Sequence, residues 1–411
     1  SETLQRLENF GIYTLRTDIN GDIKLISDGE IIYQQKWKYF FERLAHSQPE
    51  QKIIFISALR IMQDIDFPIF KTKSDVYKKF DLTDFNQRQA YFEYKAGPEI
   101  KKLREYLKNN SFIIYLLGKK NSGKGVYSKM FKEIIAPDKL EHFSVGDMIR
   151  SFDEVLKDEQ KKKELIEFLH KKYRGPVSVK DIIKSMESRS TKILLPTELI
   201  LALTEREISK LGKKAIFIDG FPRDFDQVSY SLFFKSIIDY RNDPDIFVLI
   251  DVPTNIIDER IKYRVVCPSC NTSRNTKLLA TPKVEYDPEK NKFYLLCDNQ
   301  NCTGPRMVTK EGDELGIEPI RDRLEKEGNL MEKIYKMHGI SKILLRNAIP
   351  TDKTKENYDD YEITPEYVYS FNKDTQEVNV QEKPWEILDD EGSPVNSLMP
   401  PPVVVSLIKQ L

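Results

Sequence analysis

The stretch Gly118-Lys119-Lys120-Asn121-Ser122-Gly123-Lys124-Gly125 is the feature that most constrains what this chain can fold into. An almost continuously apolar run, Phe112 to Leu117, precedes it, as expected of a parallel strand buried on both faces. After it, Val126, Met130, Phe131 and Ile134 recur at helical spacing. Strand, glycine-rich loop and helix start together make an anion site. Backbone N–H groups converge on phosphate oxygens, the helix dipole adds positive potential, and a lysine supplies a full charge. Lys124 is the expected phosphate lysine. A Gly-Lys pair alone carries little, because glycine also ends helices and closes turns; the flanking elements make the pattern a phosphate loop.

From Ser111 onward apolar runs alternate with helical patterns. Strands are expected at Phe112–Leu117, His142–Ser144, Ala215–Ile218 and Phe247–Asp251, with helices between them and residues 151–212 mostly helical. That order argues for an α/β fold, a mainly parallel sheet with helices on both faces. Residues 264–312 break the pattern with Cys, Pro, Asn and turns, and read as an excursion. After about residue 350 the chain turns acidic and irregular, with a hairpin expected over Tyr367–Val380 about Asn372-Lys373-Asp374 and a closing helix over Val403–Leu411.

Residues 1–110 read as a separate N-terminal α+β accessory domain of unknown role. Asn20-Gly21 between strand-like flanks signals a hairpin, Glu30–Ala45 reads as a helix, Lys52–Ile56 as a strand and Lys101–Asn110 as a helix. Phe, Tyr and Lys interleave from Phe67 to Gly97, a pattern that can mark a nucleic-acid surface. With 65 basic and 65 acidic residues no global field recruits nucleic acid or anionic membrane, so aromatics packing a small core are favoured over that surface. At 411 residues two or more units are expected. No apolar stretch approaches the ~18 residues of a membrane span, and the first residues lack a basic-then-apolar leader layout. A cytoplasmic monomer is the expectation. The four Cys lie close together in sequence, which suits a metal site better than a secreted disulfide framework.

Two further blocks carry chemistry. In Ile216-Phe217-Ile218-Asp219-Gly220-Phe221-Pro222-Arg223 a strand ends in a carboxylate, followed by Gly, Pro and Arg. Such a carboxylate beside a phosphate loop can orient Mg²⁺ or its water shell, and Arg223 can grip a second phosphate bidentately. In Ser144-Val145-Gly146-Asp147-Met148-Ile149-Arg150 a short strand passes through Gly into a helix carrying Arg150, which again suits an anion near a helix start.

With these three blocks in order, the chain resembles the adenylate kinase family of nucleoside monophosphate kinases. The matching segments are residues 118–126, 144–150 and 219–223. The resemblance covers roughly 111–349, with a monophosphate flap at about 144–205 and a lid at about 264–318, and extends to the last helix, 401–411; residues 350–400 look like an insertion. It implies a P-loop core and reversible transfer of the γ-phosphoryl group of Mg·ATP to AMP, giving two ADP. The loop residues Asn121, Ser122, Gly123, Lys124, Gly125 and Val126 would cradle ATP, with Lys124 on its β/γ-phosphates. Arg150 and Arg223 would bind the monophosphate, Gly220 would let the backbone approach it, and Val145 would border it. Gln227 matches the position that reads the adenine edge, and Leu194 and Leu195 the segment packed near that base. Asp147 and Asp219 fall at carboxylate positions near metal and phosphates. Arg260 and Arg264, four apart and so on one helical face, match lid-root arginines that reach the polyphosphate, and Arg323 matches another. Arg321 is read as a solvated helix charge.

The expected lid carries Cys267-Pro268-Ser269-Cys270 and Cys297-Asp298-Asn299-Gln300-Asn301-Cys302. Two Cys pairs at short spacing fit a tetrahedral structural Zn²⁺ site, with disulfides or unliganded thiols as alternatives. The polar, turn-rich residues between them make metal a natural source of local stability.

Four departures from the family pattern stand out. Asn121 replaces a usual Gly, Val126 and Val145 replace usual Thr residues, and the lid arginine expected just after the metal site is missing, with Arg306 and Lys310 as candidates. Asn121 would reshape the loop, and each lost hydroxyl or guanidinium would remove a charge-assisted hydrogen bond of roughly 1.5–3 kcal/mol. These departures keep two alternatives open: a kinase for CMP, UMP or GMP, or a catalytically weak nucleotide-binding regulatory protein.

Overall fold

A computed structural model of the chain describes residues 65, 67–187, 196–223 and 243–411, together with the backbone of 24–27 and 32–35. Contacts divide the chain into two units between residues 60 and 61. In the first, β1 (Lys24–Ser27) pairs antiparallel with β2 (Ile32–Gln35). The hairpin about Asn20-Gly21 and the strand at 52–56 lie outside the described residues. The helix expected over Glu30–Ala45 is corrected at its start, where 32–35 is strand. Asp28-Gly29 is a turn pair, and Ile31, Ile32 and Tyr33 are β-formers, so local chemistry favours a second hairpin arm there.

The second unit runs from residue 61 to the last residue. Its first helix, α1 (Phe85–Tyr106), starts at Asp84, whose side chain accepts from Gln87 N–H, and breaks helical geometry at Ala96 ahead of Pro98. Then follow β3 (Ile113–Gly118), α2 (Lys124–Ile135), β4 (Leu140–Ser144), α3 (Val145–Val155), α4 (Glu159–Lys172), α5 (Val179–Glu187) and α6 (Thr197–Ser209). Next come β5 (Ala215–Asp219), β6 (Asp245–Asp251) and α7 (Thr254–Lys262). Short strands β7 (Arg264–Val266), β8 (Ser273–Asn275), β9 (Val284–Asp287), β10 (Lys292–Leu295) and β11 (Val308–Thr309) form the excursion. The chain continues through α8 (Arg321–Lys336), β12 (Ser341–Arg346), β13 (Ala348–Pro350), α9 (Thr351–Asn357), β14 (Pro365–Asn372), β15 (Glu377–Pro384), β16 (Glu386–Leu388), β17 (Pro394–Ser397) and α10 (Pro400–Gln410).

The four expected strands stand in one parallel sheet of order β12-β6-β3-β5-β4, with β12 added at an edge. The period-2 pleat explains the continuous apolar runs. Ile114, Leu116, Phe217, Val248 and Ile250 face a core shared with α1, α2, α7 and α10. Ile113, Tyr115, Leu117, Ile218 and Leu249 face a second core with α3, α4, α5, α6 and α8. Both faces are therefore covered, and the carboxyl ends of β3, β5 and β6 emerge at one rim, where open parallel sheets bind ligands. Among the described residues, no helix is long and apolar enough to cross a membrane.

The boundary expected at residue 110 is displaced by this packing. Phe80, Leu82, Tyr91, Phe92, Ile100 and Leu103 bury into the first sheet core, so residues 67–110 belong to the same unit as the sheet rather than to a separate module. The aromatic residues of this stretch do pack: Tyr91 and Phe92 are fully buried, with Phe80 and Tyr361 edge-on to Tyr91.

The segment 350–400, expected to be irregular apart from one hairpin, carries α9 and the strands β14 to β17. Its hairpin β14–β15 has the expected turn, with Asn372 paired to Glu377. Trp385 and Val395 anchor it in the same core. The hairpin also meets the excursion. Tyr286 stacks on Phe371 with centroids 4.4 Å apart, and Tyr369 donates to Thr276 O. Tyr367 N–H donates to Lys277 O at 2.8 Å.

A buried charge cluster joins α1 to this segment. Lys95 Nζ lies 2.7 Å from Asp359 Oδ2 and 3.7 Å from Glu362 Oε1, and donates to Thr72 O at 2.7 Å. Glu362 is fully buried and accepts from Tyr91 OH at 2.6 Å and Thr72 Oγ1 at 2.8 Å. Breaking a buried pair by removing one partner leaves uncompensated charge, a loss of about 3–5 kcal/mol. Lys95→Ala is therefore expected to lower unfolding free energy by about that amount in urea titrations; a loss below about 1 kcal/mol would mean that the two carboxylates do not depend on the ammonium.

Candidate functional site

The phosphate loop follows from the chemistry of its own residues. β3 ends at Gly118, and a Cβ there would come 2.7 Å from Ser122 Oγ and 3.1 Å from Ile250 O, so the strand exit tolerates no side chain. Asn121 takes φ 65°, the left-handed region that asparagine enters more readily than most residues. It thus adopts the backbone that a glycine would take. Gly123 has φ 100° and caps α2; a Cβ there would lie 2.7 Å from the Tyr127 ring. Ser122 is fully buried, and its Oγ is one of the buried side-chain atoms, among the described residues, without a protein hydrogen-bond partner. Gly125 lies within the first turn of α2, and Val126 is half exposed beside it.

Lys124 folds back over the loop, donating to Gly118 O at 2.7 Å and Lys119 O at 3.1 Å. Burial pushes its ammonium pKa down. Asp219 and Glu327 oppose that shift, while Arg323 and Arg223 add to it. Lys124, Asp219, Arg223 and Arg323 therefore share one electrostatic neighbourhood. Asp219 ends β5, and Gly220 takes φ 85°, with a would-be Cβ 3.3 Å from the Arg223 guanidinium. Arg223 Nε donates to Gly220 O at 2.9 Å. Burial lowers the Arg223 pKa, helped by Arg323 and Arg150.

The flap arginine meets Arg223 over Gly146. A Cβ there would lie 3.6 Å from Arg150 and 3.8 Å from Arg223, so the absent side chain leaves room between two guanidiniums. Ser144 caps α3 by accepting from Asp147 N–H, Asp147 pairs with Arg150, and Val145 is buried in the second core. Leu194, Leu195 and Gln227 lie outside the described residues.

The two lid-root arginines part company. Arg264 makes a bidentate pair with Asp313, Nε and Nη2 each 2.6 Å from a carboxylate oxygen, clasping the two roots of the lid together. Arg260 is buried. It donates to Asn121 O at 3.2 Å and Asn347 Oδ1 at 2.9 Å, which ties the phosphate loop to the foot of the 350–400 segment. Burial lowers its pKa. Of the candidates for the missing lid arginine, Arg306 sits over the Tyr294 ring at 3.9 Å and pairs with Asp287 at 3.1 Å. Lys310 instead bears on Lys120 of the loop, together with Arg264 and Arg323. Arg321 pairs with Glu318 on the surface.

Glu327 was not anticipated. One of its carboxylate oxygens accepts from Lys120 N–H at 2.6 Å and the other from Arg323 Nε at 2.8 Å. Its position four residues after Arg323 on a helix was the available signal. A second such residue is Asp390, which accepts from Thr254 N–H at 2.7 Å and Asn255 N–H at 3.3 Å and so caps α7 from a distant loop. Lys119 lies 3.4 Å from the same carboxylate.

In the lid, Cys267, Cys270, Cys297 and Cys302 bring their sulfurs within 4.8 Å of one another. Cys267 and Cys302 are 3.6 Å apart, as are Cys270 and Cys297. A tetrahedron with Zn–S near 2.3 Å has S···S edges of about 3.8 Å. Hydrogen bonds from the Thr272 hydroxyl and backbone lower the Cys270 thiol to about 6, while desolvation and the neighbouring thiols push Cys297 and Cys302 up. The donor set fits a structural tetrahedral ion, and the unbonded sulfur distances and four free thiols disfavour disulfides.

The sheet, the loop and the four-cysteine lid define a P-loop α/β protein with a metal-type lid. No family model matches the chain. It is 30% identical over 230 residues to the adenylate kinase of Kosmotoga olearia, covering 55% of this chain and 87% of the relative. It is 31% identical over 211 residues to that of Clostridium novyi (51% and 78%) and 27% identical over 216 residues to that of Hydrogenobaculum sp. (52% and 83%). The chain belongs to the adenylate kinase family.

Metal analysis of the purified chain is expected to give about one zinc per chain, because one Cys₄ set binds one ion. Chelation or Cys297→Ser is expected to lower the melting temperature; an unchanged melting curve in metal-free protein would remove the structural role.

Proposed function

We propose that the protein is a nucleoside monophosphate kinase that reversibly transfers the γ-phosphoryl group of Mg·ATP to AMP, giving two ADP. The observation that carries this reading is the phosphate loop itself, with Asn121 and Gly123 in left-handed backbone and Lys124 folded over the Gly118 and Lys119 carbonyls, at the end of β3 beside Asp219 at the end of β5. Phosphoryl transfer needs little covalent chemistry from a protein; it needs positioning and stabilisation of charge on the transferred group. Lys124 and the loop amides hold the donor phosphates. Arg150 and Arg223, facing each other across Gly146, take the acceptor phosphate. Arg323 and Arg264 face the group in transfer. Arg260 holds the loop backbone through Asn121. Asp219 is the carboxylate that would hold Mg²⁺ or its water shell, where the ion supplies charge neutralisation. The lid, with its thiolate knuckle binding zinc, covers the donor phosphates and excludes water. A soluble cytoplasmic monomer acting on ATP and AMP is part of the same reading.

A coupled assay with Mg·ATP against AMP, CMP, UMP and GMP tests it. AMP is expected to be the fastest acceptor; faster turnover of another monophosphate would move the acceptor assignment, and ATP binding without any turnover would favour a regulatory role. Lys124→Ala is expected to cut kcat by about 10³-fold or more with the fold intact by circular dichroism. Activity within tenfold of the unaltered protein would contradict the role given to Lys124.

A further inference from the structure

A single side-chain amide reaches the phosphate loop through two residues. Asn347 lies where β12 gives way to β13, and it is buried. Its backbone is pinned on both sides, the N–H donating to Asp251 O at 3.1 Å and the carbonyl accepting from Leu398 N–H at 2.8 Å. Its side-chain oxygen accepts from Arg260 Nη2 at 2.9 Å and from Ser397 Oγ at 2.8 Å. Its Nδ2 donates to Tyr127 OH and to Leu398 O, each at 3.1 Å. A guanidinium only donates and a carbonyl only accepts, so Arg260 and Leu398 O together fix which way the amide faces. Every donor and acceptor position of that amide is thereby used. Arg260 and Tyr127 both go on to touch the loop. Arg260 Nη1 donates to Asn121 O at 3.2 Å. The Tyr127 ring lies against Gly123, where a Cβ would come within 2.7 Å of it. Asn121 and Gly123 are the loop residues that take positive φ.

We propose that Asn347 is a positioning residue for the donor nucleotide, acting through Arg260 and Tyr127 on the backbone of the phosphate loop rather than on phosphate itself. The assignment rests on that loop binding a nucleoside triphosphate, as in the function proposed above. A loop carbonyl held by a guanidinium is kept from turning toward an anion that it would repel. The ring beside Gly123 holds the second left-handed residue in place. The loop amides are then set before the phosphates arrive, and preorganised donors lose little freedom on binding. Ser397 lies in β17, so the segment 350–400 joins the support of the loop through this same amide. Without the amide, Arg260 loses an acceptor and Tyr127 OH and Leu398 O lose a donor.

The test compares the unaltered chain with Asn347→Ala, Asn347→Asp and Tyr127→Phe. Amide hydrogen exchange over residues 119–125 is read without nucleotide, ATP binding by calorimetry, and ATP and AMP kinetics by coupled assay. Asn347→Ala is expected to weaken ATP binding about tenfold, as one lost hydrogen bond to a charged group implies. Exchange in the loop is expected to quicken by about the same factor while β3 exchanges as before. KM for ATP rises with the loss of affinity, and KM for AMP stays within about twofold. Asn347→Asp still accepts from Arg260 and can accept the Tyr127 hydroxyl proton, so ATP affinity is expected to return to within about threefold. Tyr127→Phe keeps the ring against Gly123 and loses one arm, with loop exchange expected to quicken about threefold. Loop exchange or ATP affinity within about twofold of the unaltered chain in Asn347→Ala would overturn the assignment. So would an equal loss for AMP, equally faster exchange in β3, or no recovery in Asn347→Asp. Should Asn347→Ala not fold, unchanged loop exchange in Tyr127→Phe would overturn it. A loosened loop and weakened ATP binding in a chain that turns over no acceptor would sink the kinase reading and leave Asn347 standing. Unchanged loop exchange and ATP binding in an active kinase would do the reverse.

Discussion

The site depends on holding mutually repelling cations at one rim of a parallel sheet. Lys124, Arg223, Arg264 and Arg323 cannot stand together without local anchors, and each has one. Arg264 has Asp313, Arg323 has Glu327, Lys124 has two loop carbonyls, and Arg223 has Gly220 O. Burial together with like-charged neighbours depresses the pKa of Lys120, Lys124 and Arg223. The anchors fix geometry without cancelling the field, because several of them are neutral carbonyls. A site built this way gains by accepting negative charge, and a phosphate chain brings it.

Much of this was legible in the sequence because the governing rules are local. Buried parallel strands read as apolar runs: the run at 112–117 overlaps β3, and those at 215–218 and 247–251 lie within β5 and β6. The phosphate loop needs backbone shapes that few residues adopt, so Gly123 and Asn121 signalled it in one dimension. Cysteine pairs at short spacing foretold the sulfur cluster. Pairings across long sequence distances left no such trace. Asp313 with Arg264 and Asp390 with Thr254 depend on where loops return, and acidic residues are common enough that neither stood out. The spacing of Arg260 and Arg264 placed both on one helical face, yet the fold turned Arg260 toward Asn347 and Asn121. The boundary at 110 was misread because aromatic residues that cover the sheet have the same composition as those of a small independent core.

The segments flanking the family-like region are not ornaments on its surface. The relatives align to 51–55% of this chain, while residues 67–107 and 350–400 lie in the same hydrophobic core as the sheet. The later segment reaches the site's supports at two points. Asp390 caps the helix that leads to the lid, and Ser397 accepts from Arg260 and donates to Asn347, which accepts from the same arginine. Its hairpin also stacks on the lid through Tyr286 and Phe371.

The Lys95 cluster reaches across the unit. It joins a helix before the phosphate loop to a turn near residue 360, so its two halves lie on either side of the sequence that carries the site. Neutralising either half alone would leave the other as a buried charge with no counterion, so the two ends of this unit depend on each other for stability.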